Sequence, residues 1–113
     1  MHELSIAYNV IEIVEEEAKT LNAKHISEVE LEIGLVSGVI PETLKFALEA
    51  IVKNTMLENA KIIINSIEGK ARCSTCSHEF LIDELYAMCP ECNSFHFDVI
   101  QGKEMKVKNF IVE

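Results

Sequence analysis

Two C-x2-C pairs, Cys73-Ser74-Thr75-Cys76 and Cys89-Pro90-Glu91-Cys92, stand twelve residues apart in a chain of 113 residues. No other feature restricts the fold as much. Each pair turns sharply enough to aim two sulfurs at one ion, and a gap of that length lets a hairpin bring the pairs together as a tetrahedral thiolate site. The expectation is a zinc ribbon holding Zn(II) on Cys73, Cys76, Cys89 and Cys92. Four thiolates close the coordination sphere and leave no position for an activated water, so such a zinc folds a module and performs no hydrolysis. The rival, a redox C-x-x-C, needs a strand-to-helix junction that neither pair has. His78 follows Cys76 by two residues and His96 follows Cys92 by four. On one reading they are ordinary surface or strand histidines. On the other, each imidazole donates to a sulfur or replaces one as proton or metal load changes, which makes both candidate zinc modulators.

Nineteen acidic against ten basic residues give a net charge of -9. That sign repels nucleic acid and anionic lipid, so neither is expected as a partner; a basic protein or a cation suits it better. The ribbon obeys the same rule, with Lys70 and Arg72 against Glu79, Asp83, Glu84, Glu91 and Asp98. Met1 runs directly into an amphipathic segment without a basic region and an apolar stretch, and no apolar run is long enough to cross a bilayer, so the expected location is cytoplasmic. In that compartment paired cysteines hold metal more often than they form disulfides.

The rest of the chain alternates between two periods. From Leu4, apolar residues recur at Ala7, Val10, Ile11, Val14, Ala18 and Leu21, the spacing of one helix face, while Glu12, Glu15, Glu16, Glu17 and Lys19 mostly take the solvated side. Glu28 to Leu35 alternates polar with apolar, a strand with one buried face. Pro41-Glu42 opens a second helix striped by Leu44, Ala47, Leu48, Ile51 and Val52, and Lys61 to Ile67 is a β-branched strand. Strand, helix, strand in that order favours a right-handed crossover between parallel strands. After Gly102, Met105 to Ile111 supplies a last strand that returns to the same sheet. The expected fold is α+β: a small mixed three-stranded sheet with two helices, plus an inserted zinc-ribbon module. The expected division is an α/β domain of residues 1–68 completed by 103–113, and a ribbon of residues 69–102.

The chain start has its own chemistry. The α-amine of Met1, the amide nitrogen of His2 and the His2 imidazole can reach one ion, through one five-membered and one six-membered ring. A nitrogen-rich, near-planar set of that kind suits Ni(II) or Cu(II), and the Glu3 backbone or carboxylate can complete it, whereas tetrahedral zinc fits poorly. Binding displaces protons from an amine of reference pKa about 7.7 to 8.0 and an imidazole of about 6.5, so affinity falls as pH drops through that range. His25, in the turn after the first helix, has no matched partner and reads as a surface residue.

Met1-His2-Glu3, the Ile33-Gly34-Leu35-Val36-Ser37-Gly38-Val39 stretch before Pro41, and Cys73, Cys76, Cys89 and Cys92 together resemble the HypA/HybF family of nickel metallochaperones, over essentially the whole chain. The resemblance implies a two-domain protein without enzymatic turnover that binds nickel at Met1, His2 and Glu3 and holds structural zinc on the four cysteines. It implies insertion of nickel into the large-subunit precursor of NiFe-hydrogenase, in company with the GTPase HypB, and in some organisms service to urease and its accessory proteins. Some members add a carboxylate from the loop before the second helix; here that loop reads Val39-Ile40-Pro41-Glu42. The competing expectation is a zinc-ribbon adaptor that recruits a basic partner, with His2 incidental.

Overall fold

The computed structural model describes residues 3–113. A helix over Glu3–Thr20 (α1) leads to a strand over Ile26–Gly34 (β1), a helix over Pro41–Ile51 (α2) and a strand over Lys61–Ile67 (β2). Three short strands follow at Gly69–Cys73 (β3), Glu79–Ile82 (β4) and Phe97–Gln101 (β5), and Met105–Val112 (β6) ends the chain. Two sheets result, ordered β2-β1-β6 and β4-β3-β5. The first is mixed, with β2 parallel and β6 antiparallel to β1, as the sequence pattern led us to expect.

The alternation along β1 decides the layering. Val29, Leu31 and Ile33 are buried with Ile6, Ala7, Ile11 and Val14 of α1 and Leu44 and Leu48 of α2 in one apolar cluster. Glu30 and Glu32 alternate with them along the strand, where Lys108 reaches Glu30 at 3.6 Å and Lys106 reaches Glu32 at 3.4 Å. The two helices thus cover one face of the sheet, and the other carries paired charges. Pro41 begins α2 where its missing N–H costs no hydrogen bond.

Several expected positions shift at the margins. Leu21 lies beyond the end of α1 and is exposed, as is Leu4. The helix closes at Thr20 because Asn22 turns with φ 57 and the N–H of Ala23 folds back onto the Ala18 carbonyl at 3.1 Å. Glu15 is not simply solvated: its carboxylate accepts the Met56 N–H at 2.9 Å and ties the turn before β2 to α1. Within the ribbon, Lys70 and Arg72 alternate with the buried Gly69, Ala71 and Cys73, and β3 takes the middle of its sheet, paired with β4 on one side and β5 on the other.

The sheets join through glycine. A Cβ on Gly34 would overlap the Gly102 carbonyl, and Gly102 itself has φ +109, so neither position accepts a side chain without backbone movement. Around them the Gly34 N–H donates to the Glu104 carbonyl at 2.7 Å, Leu35 N–H to Ile67 at 2.8 Å and Val36 N–H to Gly102 at 2.9 Å. Val36 then leaves the first sheet altogether and packs with Ala71 and Ile82 in the small core of the second.

Candidate metal centre

The two C-x2-C pairs build the same turn twice. In the first, Ser77 N–H donates to the Cys73 carbonyl at 2.9 Å and Cys73 N–H donates to His78 at 2.8 Å; in the second, Asn93 N–H donates to Cys89 at 2.9 Å and Cys89 N–H donates to Ser94 at 2.8 Å. Ser77 and Asn93, at the same offset, both have positive φ, 65 and 61. Backbone N–H groups close on the sulfurs: Thr75 N–H lies 3.3 Å and Cys76 N–H 3.5 Å from the Cys73 Sγ. The turns are pinned together by Ser74 N–H on the His96 carbonyl at 2.9 Å and by Thr75 Oγ1 on Ser94 Oγ at 3.1 Å.

All four sulfurs lie within 4.8 Å of one another. Cys73 and Cys92 stand 3.5 Å apart, and Cys76 and Cys89 3.6 Å apart. A tetrahedron with metal–sulfur bonds of about 2.3 Å has edges of about 3.8 Å, so the donor set fits Zn(II) and is too open for a disulfide, whose bond is about 2.05 Å. Cys73 and Cys89 are buried and Cys76 and Cys92 exposed, so one sulfur of each pair faces the ribbon core and one faces solvent. Among the described residues no other group of three or more His, Cys, Asp or Glu side chains gathers in this way.

The electrostatics call for a cation. Cys73 is drawn down to about 6, first by the Cys76 backbone N–H and then by that of Thr75, so one thiolate is stabilised without metal. Cys92 is pushed up to about 12 although the Ser94 N–H favours its thiolate, because the Cys73 thiol and desolvation act against it. Cys76 is also raised: desolvation and the Cys89 thiol outweigh the His78 N–H. Four sulfurs this close cannot all ionise unless a divalent ion balances them.

The site thus collects all four expected cysteines. His78 is half-buried, its ring stacked on Phe80 at 6.3 Å between centroids, and His96 is exposed; both serve the site through their backbone carbonyls. Met1 and His2 lie outside the described residues. Glu3 is the first residue of α1, and His25 is exposed, its backbone paired with Glu113. Glu42 sits exposed in the first turn of α2. Sequence reasoning missed Ser77, Asn93, Thr75 and Ser94. The available signal was the small polar residue that directly follows each second cysteine, a type tolerant of positive φ in the case of Asn.

Among the described residues no helix is long and apolar enough to cross a membrane. The family model described as hydrogenase/urease nickel incorporation, metallochaperone, HypA matches residues 1–112. The hydrogenase maturation factor HypA of Parabacteroides distasonis is 44% identical over 113 residues, covering 100% of this chain and 98% of the relative. That of Chlorobium luteolum is 37% identical over 113 residues, covering 100% and 97%. The solution structure of the Ni metallochaperone HypA from Helicobacter pylori superposes with a TM-score of 0.70 at 28% identity, covering 99% of this chain and 97% of that one. The chain, with its helix-covered mixed sheet and its four-cysteine ribbon, therefore belongs to the HypA family.

Proposed function

We propose that this chain is a nickel carrier in hydrogenase maturation, which takes up Ni(II) at its amino terminus and hands it on without chemical turnover. The observation that carries the reading is family membership over residues 1–112, a stretch that starts with Met1-His2-Glu3. The chemistry supports it: amine, amide and imidazole nitrogens suit Ni(II), and Glu3, at the first turn of α1, stands next to them in sequence. A site at a chain end holds its ion with accessible ligands, as a hand-over requires.

In this reading Zn(II) occupies Cys73, Cys76, Cys89 and Cys92 and folds residues 69–102, while 1–68 with 103–113 form the nickel-binding unit. His78 and His96 are then the groups through which proton or metal load reaches the sulfurs. The receivers are the large-subunit precursor of NiFe-hydrogenase and a HypB-type GTPase, with urease accessory proteins as a second outlet, all in the cytoplasm.

Calorimetric titration of Ni(II) into the zinc-loaded chain with its native terminus tests the carrier reading. Binding should be lost in His2→Ala and in a version with extra residues before Met1, and should weaken as pH falls from 8 to about 6. Three superposable curves would leave only a zinc-stapled adaptor.

A further inference from the structure

We propose that the outer end of the ribbon is a docking site for a basic, apolar segment of a partner protein, a role separate from nickel carriage. The site is a concavity of about 390 Å³ lined by Leu85, Tyr86, Ala87, Met88, Phe95 and Phe97. Four of these are strongly exposed: Tyr86 by 88%, Phe95 by 72%, Leu85 by 54% and Met88 by 50%. Single exposed apolar residues are ordinary, but large ones clustered in a chain with 6% aromatic content mark an interaction surface.

The floor of this concavity is packed on the ribbon core while its walls are exposed. Phe97 belongs to β5 and meets Phe80 of β4 edge-on at 5.8 Å, and both it and Ala87 pack against the ribbon core of Val36, Ala71 and Ile82. Met88 immediately precedes Cys89, and Phe95 follows Ser94, the residue whose carbonyl closes the second metal turn. The metal turns therefore hold the apolar walls at a set spacing, which lowers the ordering cost of binding.

Charge selects the occupant. Between residues 80 and 99 there is no Lys or Arg, whereas Asp83, Glu84, Glu91 and Asp98 are acidic. The two basic residues of the ribbon are already engaged elsewhere, Arg72 with Glu79 at 2.7 Å and Lys70 with Glu79 at 3.4 Å. Four thiolates around one zinc add two further negative charges. The charged residues interspersed with this aromatic and aliphatic centre along the chain, Glu84 beside Leu85 and Asp98 beside Phe97 among them, are all acidic, which is complementary to one or two large apolar side chains flanked by Lys or Arg. A second copy would bring the same acidic segment and a net charge of -9, and nucleic acid or anionic lipid carries the wrong sign.

The test uses the full chain loaded with zinc and three short synthetic peptides: Lys and Arg around a Phe-Leu centre, a twin with every base replaced by Glu, and a basic twin with Ser at the apolar positions. The first should bind and shift amide resonances of residues 81–97 alone, and the two twins should not. Tyr86→Ser and Phe95→Ser should each weaken it about tenfold or more, as truncation of a central anchor does, and Asp83→Lys with Glu84→Lys should slow association and reduce its salt dependence. Zinc content and resonance dispersion of each variant establish that it is folded. Shifts on the acidic face of α1, equal binding of either twin, or native affinity in both serine variants would overturn the proposal. So would concentration-dependent self-association through the patch that Tyr86→Ser abolishes, which would make a second copy the occupant.

Discussion

The two sheets of this molecule have the same number of strands and opposite means of support. Around β2-β1-β6, fifteen buried apolar residues from both helices, the sheet and the flanking loops form one cluster. Around β4-β3-β5, among the described residues, the apolar cluster is Val36, Ala71 and Ile82, with Cys73 and Cys89 buried at the metal turns, and Val36 is borrowed from the end of the first region. Burial scales with size, so a segment of about thirty residues cannot offset its chain entropy with so few buried side chains. The ribbon instead brings four sulfurs within 4.8 Å, an arrangement that disfavours ionisation of all four until a divalent ion arrives. The difference teaches that the helix-covered sheet is a self-supporting platform and the ribbon a conditional one.

Metal removal should break the comparison most. With zinc chelated, amides of residues 69–82 and 97–101 should lose hydrogen-exchange protection, while Val29, Leu31 and Ile33 on β1 stay protected; structural zinc in small folds is worth on the order of 10 kcal/mol. Loss of protection at β1 as well would show that the first region is not self-supporting. Leu44→Ala attacks the other side. Leu44 is fully buried between α2 and the sheet, so the urea midpoint should drop by the equivalent of about 3 kcal/mol, with zinc content unchanged. Gly34→Ala addresses the joint between them. The new methyl overlaps the Gly102 carbonyl, and we expect about 2 kcal/mol of destabilisation together with altered resonances at both Val36 and Gly102.

The smallest effect belongs to Glu79→Gln on the ribbon surface. The Arg72 hydrogen bond, and then that of Lys70, hold the Glu79 carboxyl below its ordinary 4.5, so its contribution is present above that pH and is lost as pH falls through the lowered value. The variant should melt slightly below the native chain at pH 7, and the two should coincide in strong acid. A gap that widened on acidification would reverse the assignment. Exposed pairs of this kind contribute little, which is consistent with a ribbon held by metal and not by surface charge.

Periodic segments were legible because a period names a face. Ala7, Ile11, Val14 and Ala18 on α1 and Val29, Leu31 and Ile33 on β1 are buried where their spacing put them. The ends were not legible. Leu21 continues the apolar spacing yet lies past the turn at Asn22, and Glu15 continues the acidic run yet receives the Met56 N–H from a loop forty-one residues away. The four cysteines announced their site because metal coordination fixes both residue type and spacing. Ser77, Asn93, Thr75 and Ser94 did not, since a small polar residue in a turn is compatible with many conformations until its partners are placed.

The sequence by itself determined the order of elements outside the ribbon, the face that each helix and the central strand bury, and the four sulfurs that share one ion. These follow from local periodicity and ligand spacing, which neighbours along the chain already specify. Only the tertiary structure decided that β3 takes the middle of the second sheet, that Val36 crosses into the ribbon core, and that Gly34 and Gly102 meet where the sheets join. Likewise, only the fold brought Tyr86, Met88 and Phe95 to one concavity. These are arrangements whose energy depends on backbone approach and shared burial between strands and turns, which no local pattern encodes.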